Sequence, residues 1–436
     1  MNSLKIKFGG PGKTFARFAA LLLVALTAAC AGTGQQPSSG APRNIIILFA
    51  DGAAPVQWEL GRYSSAQMRN RPFAVTDTIF RQGTLGLMST YSHDAYVTDS
   101  AAAASAMSTG MKVLNGAISI TPDGKSPRTV MEAARAQGKR IGLVSTAAIH
   151  DASPAAFSVH AKSRRESQAI VDRYLALEPD VLLGGGSDYF LSAPAGKRKD
   201  GKDVTAQFRA KGYHVVNTAS ELKAATGTKL LGLFADEDMD YAIDRGPEQP
   251  SFVEMTAAAL RVLERNSPNG FVLFVENENT DSAGHMNDIA ALIRELWVFD
   301  EAVEAALAFQ RRNPDTLILV TGDHETGGLS PTYALKDLSS IATSNRFYNG
   351  KTQFEMVSRI TISLGEAAEK LGKKPTAEAL DRLVAEHFPG FRLDADLREA
   401  ILQQRPLERN FGVPTQHALS RMVARQTGFY WGTGGH

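Results

Sequence analysis

Two short stretches of the 436-residue chain carry acid and imidazole at spacings that suit a cation. "FVENENTDSAGHMND" places Glu276 ahead of Asp281 and His285, and an i, i+4 pair lies on one face of a helical turn, close enough to share an ion. "VTGDHETGG" sets Asp323 and His324 between glycines that let backbone approach a ligand, a hard oxygen beside a borderline nitrogen, as zinc favours. A third stretch, "YVTDSAAAASAMSTGMK", puts Ser100 at the head of a run with helical propensity. There, backbone N–H groups and the positive end of the helix dipole face any anion. That stretch also reads as an ordinary N-cap opening a small-residue helix. No Gly-x-Ser-x-Gly elbow surrounds Ser100 and no histidine lies within six residues of it, so a metal ion, or a histidine folding in from afar, has to activate the hydroxyl.

The elements that must position these residues are legible in outline. "NIIILFA" (44–50) is a continuous apolar, β-branched run, as expected of a strand covered on both faces. Comparable runs at 140–146, 180–186, 270–276 and 316–323 alternate with helical stretches such as 166–176 and 287–310. The pattern predicts an α/β fold with a largely parallel central sheet and helices on both faces. Ligands bind such sheets beyond the carboxyl ends of the strands. Asp51, Ser100, Asp151, Glu276, Asp281, His285, Asp323 and His324 all fall at predicted strand ends or helix starts, and so converge on one edge. From about 330 to 429 the rhythm breaks into polar sequence with long helical patches, "EMVSRITISLGEAAEKLG" and "TAEALDRLVAEHF", read as an insertion packed over or beside the sheet.

Four segments together resemble the alkaline phosphatase family: "IIILFADG", "VTDSAAAA", "DASPAAFSVHAKSR" and "VTGDHETGGL". The likeness extends from Asn44 to His436. It implies metal-dependent hydrolysis of small-molecule phosphate monoesters through a covalent phosphoserine at Ser100, with two zinc ions and one magnesium ion. Under this resemblance Asp51 bridges one zinc and the magnesium, with Asp323 and His324 completing that zinc's protein ligands. Asp281 and His285 hold the other zinc, and His436, in "WGTGGH", matches the family's late Gly-Gly-His ligand. Ser153, where the family more often has threonine, and Glu276 complete the magnesium's ligands, with Asp151 behind them. Arg164, beside Arg165, matches the arginine whose planar fork grips phosphate. Two departures stand out. Ala53 and Ala54 replace the usual Met and Gly next to Asp51, and Ser282 stands where some members carry a lysine or histidine, so weaker phosphate retention is expected. As a ligand, His436 would bring its own α-carboxylate close to the metal.

The opening residues read differently from the rest. Lys5, Lys7, Lys13 and Arg17 precede "FAALLLVALTAAC", an export signal over residues 1–29. The chain's one cysteine, Cys30, resembles the acylated cysteine of bacterial lipoproteins, and ordinary signal cleavage nearby is the competing reading. Residues 30–43 are small and polar and read as a flexible tether, with the catalytic domain at 44–436. The protein is therefore expected outside the cytoplasm, in the periplasm or anchored to the outer membrane. Lys and Arg number 47 against 46 Asp and Glu, a balance that excludes nucleic acid as the expected partner. Family members commonly form homodimers. Two other functions fit parts of the pattern: a related phosphodiesterase, sulfatase or phosphonate hydrolase, and an inactive lipoprotein that captures phosphate or metal. The absence of a Cys-x-Pro-x-Arg signature weighs against a sulfatase.

Overall fold

Seven strands, β1 (Asn44–Ala50), β2 (Arg140–Ala148), β3 (Val181–Gly185), β4 (His214–Val216), β5 (Leu230–Leu233), β6 (Phe271–Asn277) and β7 (Thr316–Thr321), form one sheet in a computed structural model of the chain. Their order is β4-β5-β3-β2-β6-β1-β7, and every neighbouring pair is parallel. The structure describes residues 40–332, 350–407 and 413–436, and Pro42–His436 form one compact unit. The signal, Cys30 and most of the tether lie outside the described residues, as do parts of the 330–429 segment.

Across β3, β2, β6 and β1 the apolar runs became strands because both faces of the sheet are covered, whereas at the edge strand β7 Leu317 and Leu319 leave one face exposed. Along β1, Ile46, Leu48 and Ala50 join one apolar cluster and Ile47 and Phe49 join another. Leu273 and Val275 of β6 likewise face the first, and Val272 and Phe274 the second. The first cluster is capped by the long helix Ile289–Arg312 and by Phe252–Glu264; the second contains helices Val130–Ala136 and Ser167–Leu177.

In the late polar segment, helices Lys351–Ser358, Leu364–Leu371, Ala377–His387, Ala395–Leu402 and Pro414–Thr427 send Phe354, Leu364, Leu380, Leu397 and Leu419 into the first cluster. The patch "EMVSRITISLGEAAEKLG" divides between two of these helices. Ile360, Thr361 and Ile362 interrupt the helical run with β-branched side chains, and Ser363 opens the next helix by accepting from Glu366 N–H at 3.0 Å.

A two-stranded antiparallel ribbon, β8 (Leu329–Pro331) with β9 (Phe429–Trp431), ties the segment after β7 to the last residues. Gly327 sits at φ +90°, and a Cβ there would come within 2.6 Å of Trp431 and 2.7 Å of Gly284 O. Its N–H donates to Gly435 O at 2.9 Å and its carbonyl accepts from Gly432 N–H at 3.1 Å. These contacts carry His436 back beneath the carboxyl edge of the sheet.

Candidate active site

Strands β2, β6 and β1 and the edge strand β7 each deliver polar residues to the same edge. Asp51 follows β1, and its N–H donates to Asn277 O at 3.1 Å, which pins the turn to the end of β6. Beyond β6, the helix Asn279–His285 places Asp281 and His285 one turn apart, with His285 Nε2 3.1 Å from Asp281 Oδ2. Asp323 and His324 follow β7, and Asp151 with Ser153 begins the short helix after β2. Ser100 is the first residue of the helix Ser100–Thr109, capped by Asp99, whose carboxylate accepts from Ala102 N–H at 2.9 Å.

Ser100 is buried, and among the described residues its hydroxyl has one hydrogen-bonding neighbour, His324 Nε2, at 3.4 Å. A histidine 224 residues away thus folds in beside the serine. The same Nε2 lies 3.6 Å from Asp51 Oδ1 and 3.3 Å from Asp323 Oδ2. Both of those carboxylate oxygens are enclosed and lack a hydrogen-bond partner. Leaving a buried carboxylate oxygen unsatisfied is costly, and a divalent cation among such donors relieves the cost. Asp51, Asp323 and His324 offer one set of donor atoms within 4.8 Å of one another; Asp281, His324 and His436 offer a second. The donors fit a pair of neighbouring cations with His324 between them.

His436 stacks on His324 with ring centroids 3.9 Å apart and lies 5.1 Å from His285. Its Nδ1 is 2.8 Å from Thr98 O, and His285 Nδ1 is 2.8 Å from Gly434 O, which leaves Nε2 as each ring's outward nitrogen. Ser153 Oγ donates to Asp51 Oδ2 at 3.3 Å, and Glu276 accepts from Ser145 Oγ at 2.5 Å. Arg164 lines the cavity above Ser100, whereas Arg165 is exposed. Its Nη2 donates to both oxygens of Asp151 at 3.1 and 3.0 Å, and Nη1 lies 3.5 Å from Asp99. Burial works against the charge on Arg164, and the carboxylates of Asp151 and Asp99 outweigh it, so the guanidinium is held charged.

The electrostatics match a site built for cations. Burial, followed by the fields of Asp323, Asp281 and Glu276, pushes the Asp51 carboxyl well above its usual range. Glu276 is pushed up to about 8 by burial and then by Asp151 and Asp323. Asp281 moves the other way, to about 2: burial opposes its charge, but hydrogen bonding and attraction from His285, with His324, prevail.

Four contributors escaped the sequence reading. Thr326 donates to Asp281 Oδ1 and lies 3.1 Å from His324 Nδ1, so one hydroxyl orients a ligand of each set. Ser145 orients Glu276. Glu278 and Asp238 wall the cavity beside Arg164. Thr326 and Glu278 lie within quoted motifs, and only their types failed to attract notice. Ser282 donates to Glu278 Oε1 at 2.8 Å.

Gly52 governs how close the two sides of the site come. At φ +69°, an added Cβ would meet Asp281 Oδ1 at 2.6 Å and Asp281 Cα at 2.8 Å. Gly52→Ala is expected to destabilise the fold by about 1–3 kcal/mol and to weaken cation binding at Asp281. Urea unfolding and zinc titration measure the two effects; a variant that matches wild type in both removes this role for Gly52.

The "Alkaline phosphatase" family model matches residues 42–396. Alkaline phosphatase 3 of Bacillus subtilis is 38% identical over 296 residues, covering 66% of this chain and 62% of the relative. Streptomycin-6-phosphate phosphatase of Streptomyces griseus is 34% identical over 366 residues, covering 72% of this chain and 80% of the relative. The chain thus spans about six-tenths of the length of the Bacillus relative. Among solved structures, the alkaline phosphatase of Thermus thermophilus superposes with a TM-score of 0.82 at 32% identity, covering 94% of this chain and 87% of that one. The cold-active enzyme of a Shewanella species gives 0.73 at 31%, covering 90% and 91%. Matched over most of its length by the family model, and in fold by solved members, the chain belongs to the alkaline phosphatase family.

Proposed function

We propose that the protein hydrolyses phosphate monoesters to an alcohol and inorganic phosphate through a phosphoserine at Ser100. The observation that carries this reading is a single cavity of about 350 Å³ that brings together Ser100, Arg164, Asp281, His285 and His436. In this reading Asp51, Asp323 and His324 hold one zinc, Asp281, His285 and His436 the other, and Asp51, Ser153 and Glu276 a magnesium, with Asp151 behind it. When bound, these cations supply positive charge to the phosphoryl oxygens and lower the pKa of hydroxyl and water.

The chain's own groups do the rest. Ser100 Oγ attacks phosphorus, the P–O bond to the alcohol breaks, and the alcohol leaves with a proton. Water then displaces the serine oxygen in a second in-line step, which restores Ser100 and releases phosphate. The N–H groups at the head of the Ser100 helix and the fork of Arg164 both point positive charge at the phosphoryl oxygens. Asp151 and Asp99 fix the plane of that fork, and a guanidinium held in place loses little orientation entropy when the substrate arrives.

The test is hydrolysis of p-nitrophenyl phosphate and of its diester by the metal-loaded protein, before and after chelation. Turnover of the monoester well above the diester, abolished by chelation, is the expected result; activity that survives complete metal removal sinks the reading. Arg164→Ala is expected to lower kcat/KM for the monoester by about 10²–10³-fold, and a diester, with one negative charge fewer, is expected to lose less.

The reading also places the protein outside the cytoplasm, anchored through Cys30 and paired as a homodimer. The signal-like residues 1–29 support export. Pairing is supported by exposed apolar side chains close in sequence, among them Leu85, Leu87 and Tyr96.

A further inference from the structure

Outward from Ser100, the cavity that holds Arg164 is walled by Asp238 and Glu278. Asp238 also belongs to the wall of a second cavity, of about 530 Å³, so the two adjoin at that side chain. The outer cavity lies between the loop 238–244, the helix Asn279–His285 and the helix Leu364–Leu371. Its charge is one-sided. Asp240, Asp244, Glu366 and Glu369 join Asp238, against His387 and Lys370, whose Nζ sits 3.0 Å from Glu366. The ring of Tyr241 supplies an aromatic wall.

At the junction of the two cavities, Glu278 uses Oε1 to accept from Ser282, while its Oε2 is enclosed and has no hydrogen-bond partner. Such an oxygen is unfavourable until a donor reaches it. Arg164, the nearby cation, is already engaged by Asp151 and Asp99. A bare metal ion needs donors in a tighter group. Among the described residues the groups that close are those around His324, and neither contains Asp238 or Glu278. Dispersed carboxylates around an aromatic ring suit a larger and softer cation, an organic ammonium.

We propose that the alcohol part of the preferred substrate carries an ammonium group, lodged between Glu278, Asp238 and the outer carboxylates, so that the enzyme favours phosphate monoesters of amino alcohols. This rests on the phosphomonoesterase reading above. It assigns the late helical segment, through Glu366 and Glu369, a part in substrate choice.

The test compares kcat/KM of the metal-loaded full chain for O-phosphoethanolamine and 3-aminopropyl phosphate, both cationic with N–H donors, against 3-phosphoglycerate, an anionic ester, with p-nitrophenyl phosphate as reference. The expected result is a preference of about tenfold or more for the cationic esters, shrinking as salt is added. In a Glu366→Gln, Glu369→Gln double variant the cationic-to-anionic ratio is expected to fall several-fold. Taking the ratio within each variant cancels any general loss of activity. If p-nitrophenyl phosphate is turned over while the cationic and anionic esters differ by less than about twofold, or the ratio is unmoved in the double variant, the ammonium subsite is wrong and the phosphatase reading stands. If the metal-loaded protein leaves p-nitrophenyl phosphate intact, the phosphatase reading fails and the subsite fails with it.

Discussion

Replacing Ser100 with alanine is expected to cut turnover of p-nitrophenyl phosphate by at least about a thousandfold while leaving the fold intact. The two halves of that expectation have separate origins. The chemical half follows from position: the hydroxyl opens a helix, faces Arg164 across the cavity and lies 3.4 Å from His324 Nε2. Among the described residues, no other serine or threonine hydroxyl lines that cavity apart from Ser167, which starts a different helix, Ser167–Leu177. The structural half follows from what the hydroxyl does not do. Asp99, not Ser100, caps the helix, and alanine is a good residue for a first helical position. Thermal unfolding of the variant is therefore expected to match wild type, which separates lost chemistry from lost structure. Trapping of labelled phosphate on the denatured wild-type protein, absent from the variant, would identify the covalent step. A variant that retains turnover within tenfold of wild type would falsify the phosphoserine mechanism, whatever its stability.

Long apolar strands were legible because burial on both faces leaves an unbroken run, as in β1, β2, β3 and β6; the edge strand β7 has an apolar run too, although Leu317 and Leu319 on one face are exposed. The short strands β4 and β5, of three and four residues, fall below that signal, and their partners rather than their own sequence make them strands. That cost a functional residue. Asp238 lies in "FADEDMD" just past β5, so with the strand unread its end was not inspected for polar groups. The i, i+4 relation of Asp281 and His285 was readable, since it depends only on helical period. The approach of His324 to Ser100 was not, because it depends on the sheet order, which no local pattern reveals, and on the packing of the Ser100–Thr109 helix against the short helix after β2. Thr326 is invisible for a related reason: its hydroxyl matters only once the turn after β7 has been folded against the Asn279–His285 helix. The family resemblance pointed to His436, and the means of bringing it there is the β8–β9 ribbon with Gly327 at its crossing.

Stripping the metals is expected to leave a protein whose melting temperature falls as pH rises from about 5 to 8, whereas the metal-loaded protein keeps its stability across that range. The cause is the group of buried carboxyls. In the unfolded chain Glu276 titrates near 4.3 or so, and in the metal-free fold burial, with Asp151 and Asp323 nearby, pushes it up to about 8. Between those values the folded state binds a proton that the unfolded state does not. Stability is thus fully present below the unfolded value and is lost as pH climbs through the folded one. At about 1.4 kcal/mol per unit, Glu276 alone accounts for a loss on the order of 5 kcal/mol, or roughly 5 °C for a unit of this size. Asp51 and Asp323, both raised, chiefly by burial, act in the same direction. His285 joins them: raised by Asp281, it stabilises below its unfolded value and loses that contribution as pH rises. Asp281 opposes them only in acid, since its folded value is near 2 and its contribution is complete above the ordinary carboxyl range; His150 and His436, both lowered chiefly by burial, oppose them where histidine titrates, and the raised groups outnumber those two. Cations held by these carboxyls replace the protons, so zinc and magnesium added at pH 6.5 should release protons into an unbuffered solution as they raise the melting temperature. Glu276→Gln is expected to flatten the pH dependence of the metal-free protein. A metal-free melting temperature that stays level or rises from pH 5 to 8 would mean that these carboxyls are already ionised without metal, and that cations are not what the edge of this sheet is built to hold.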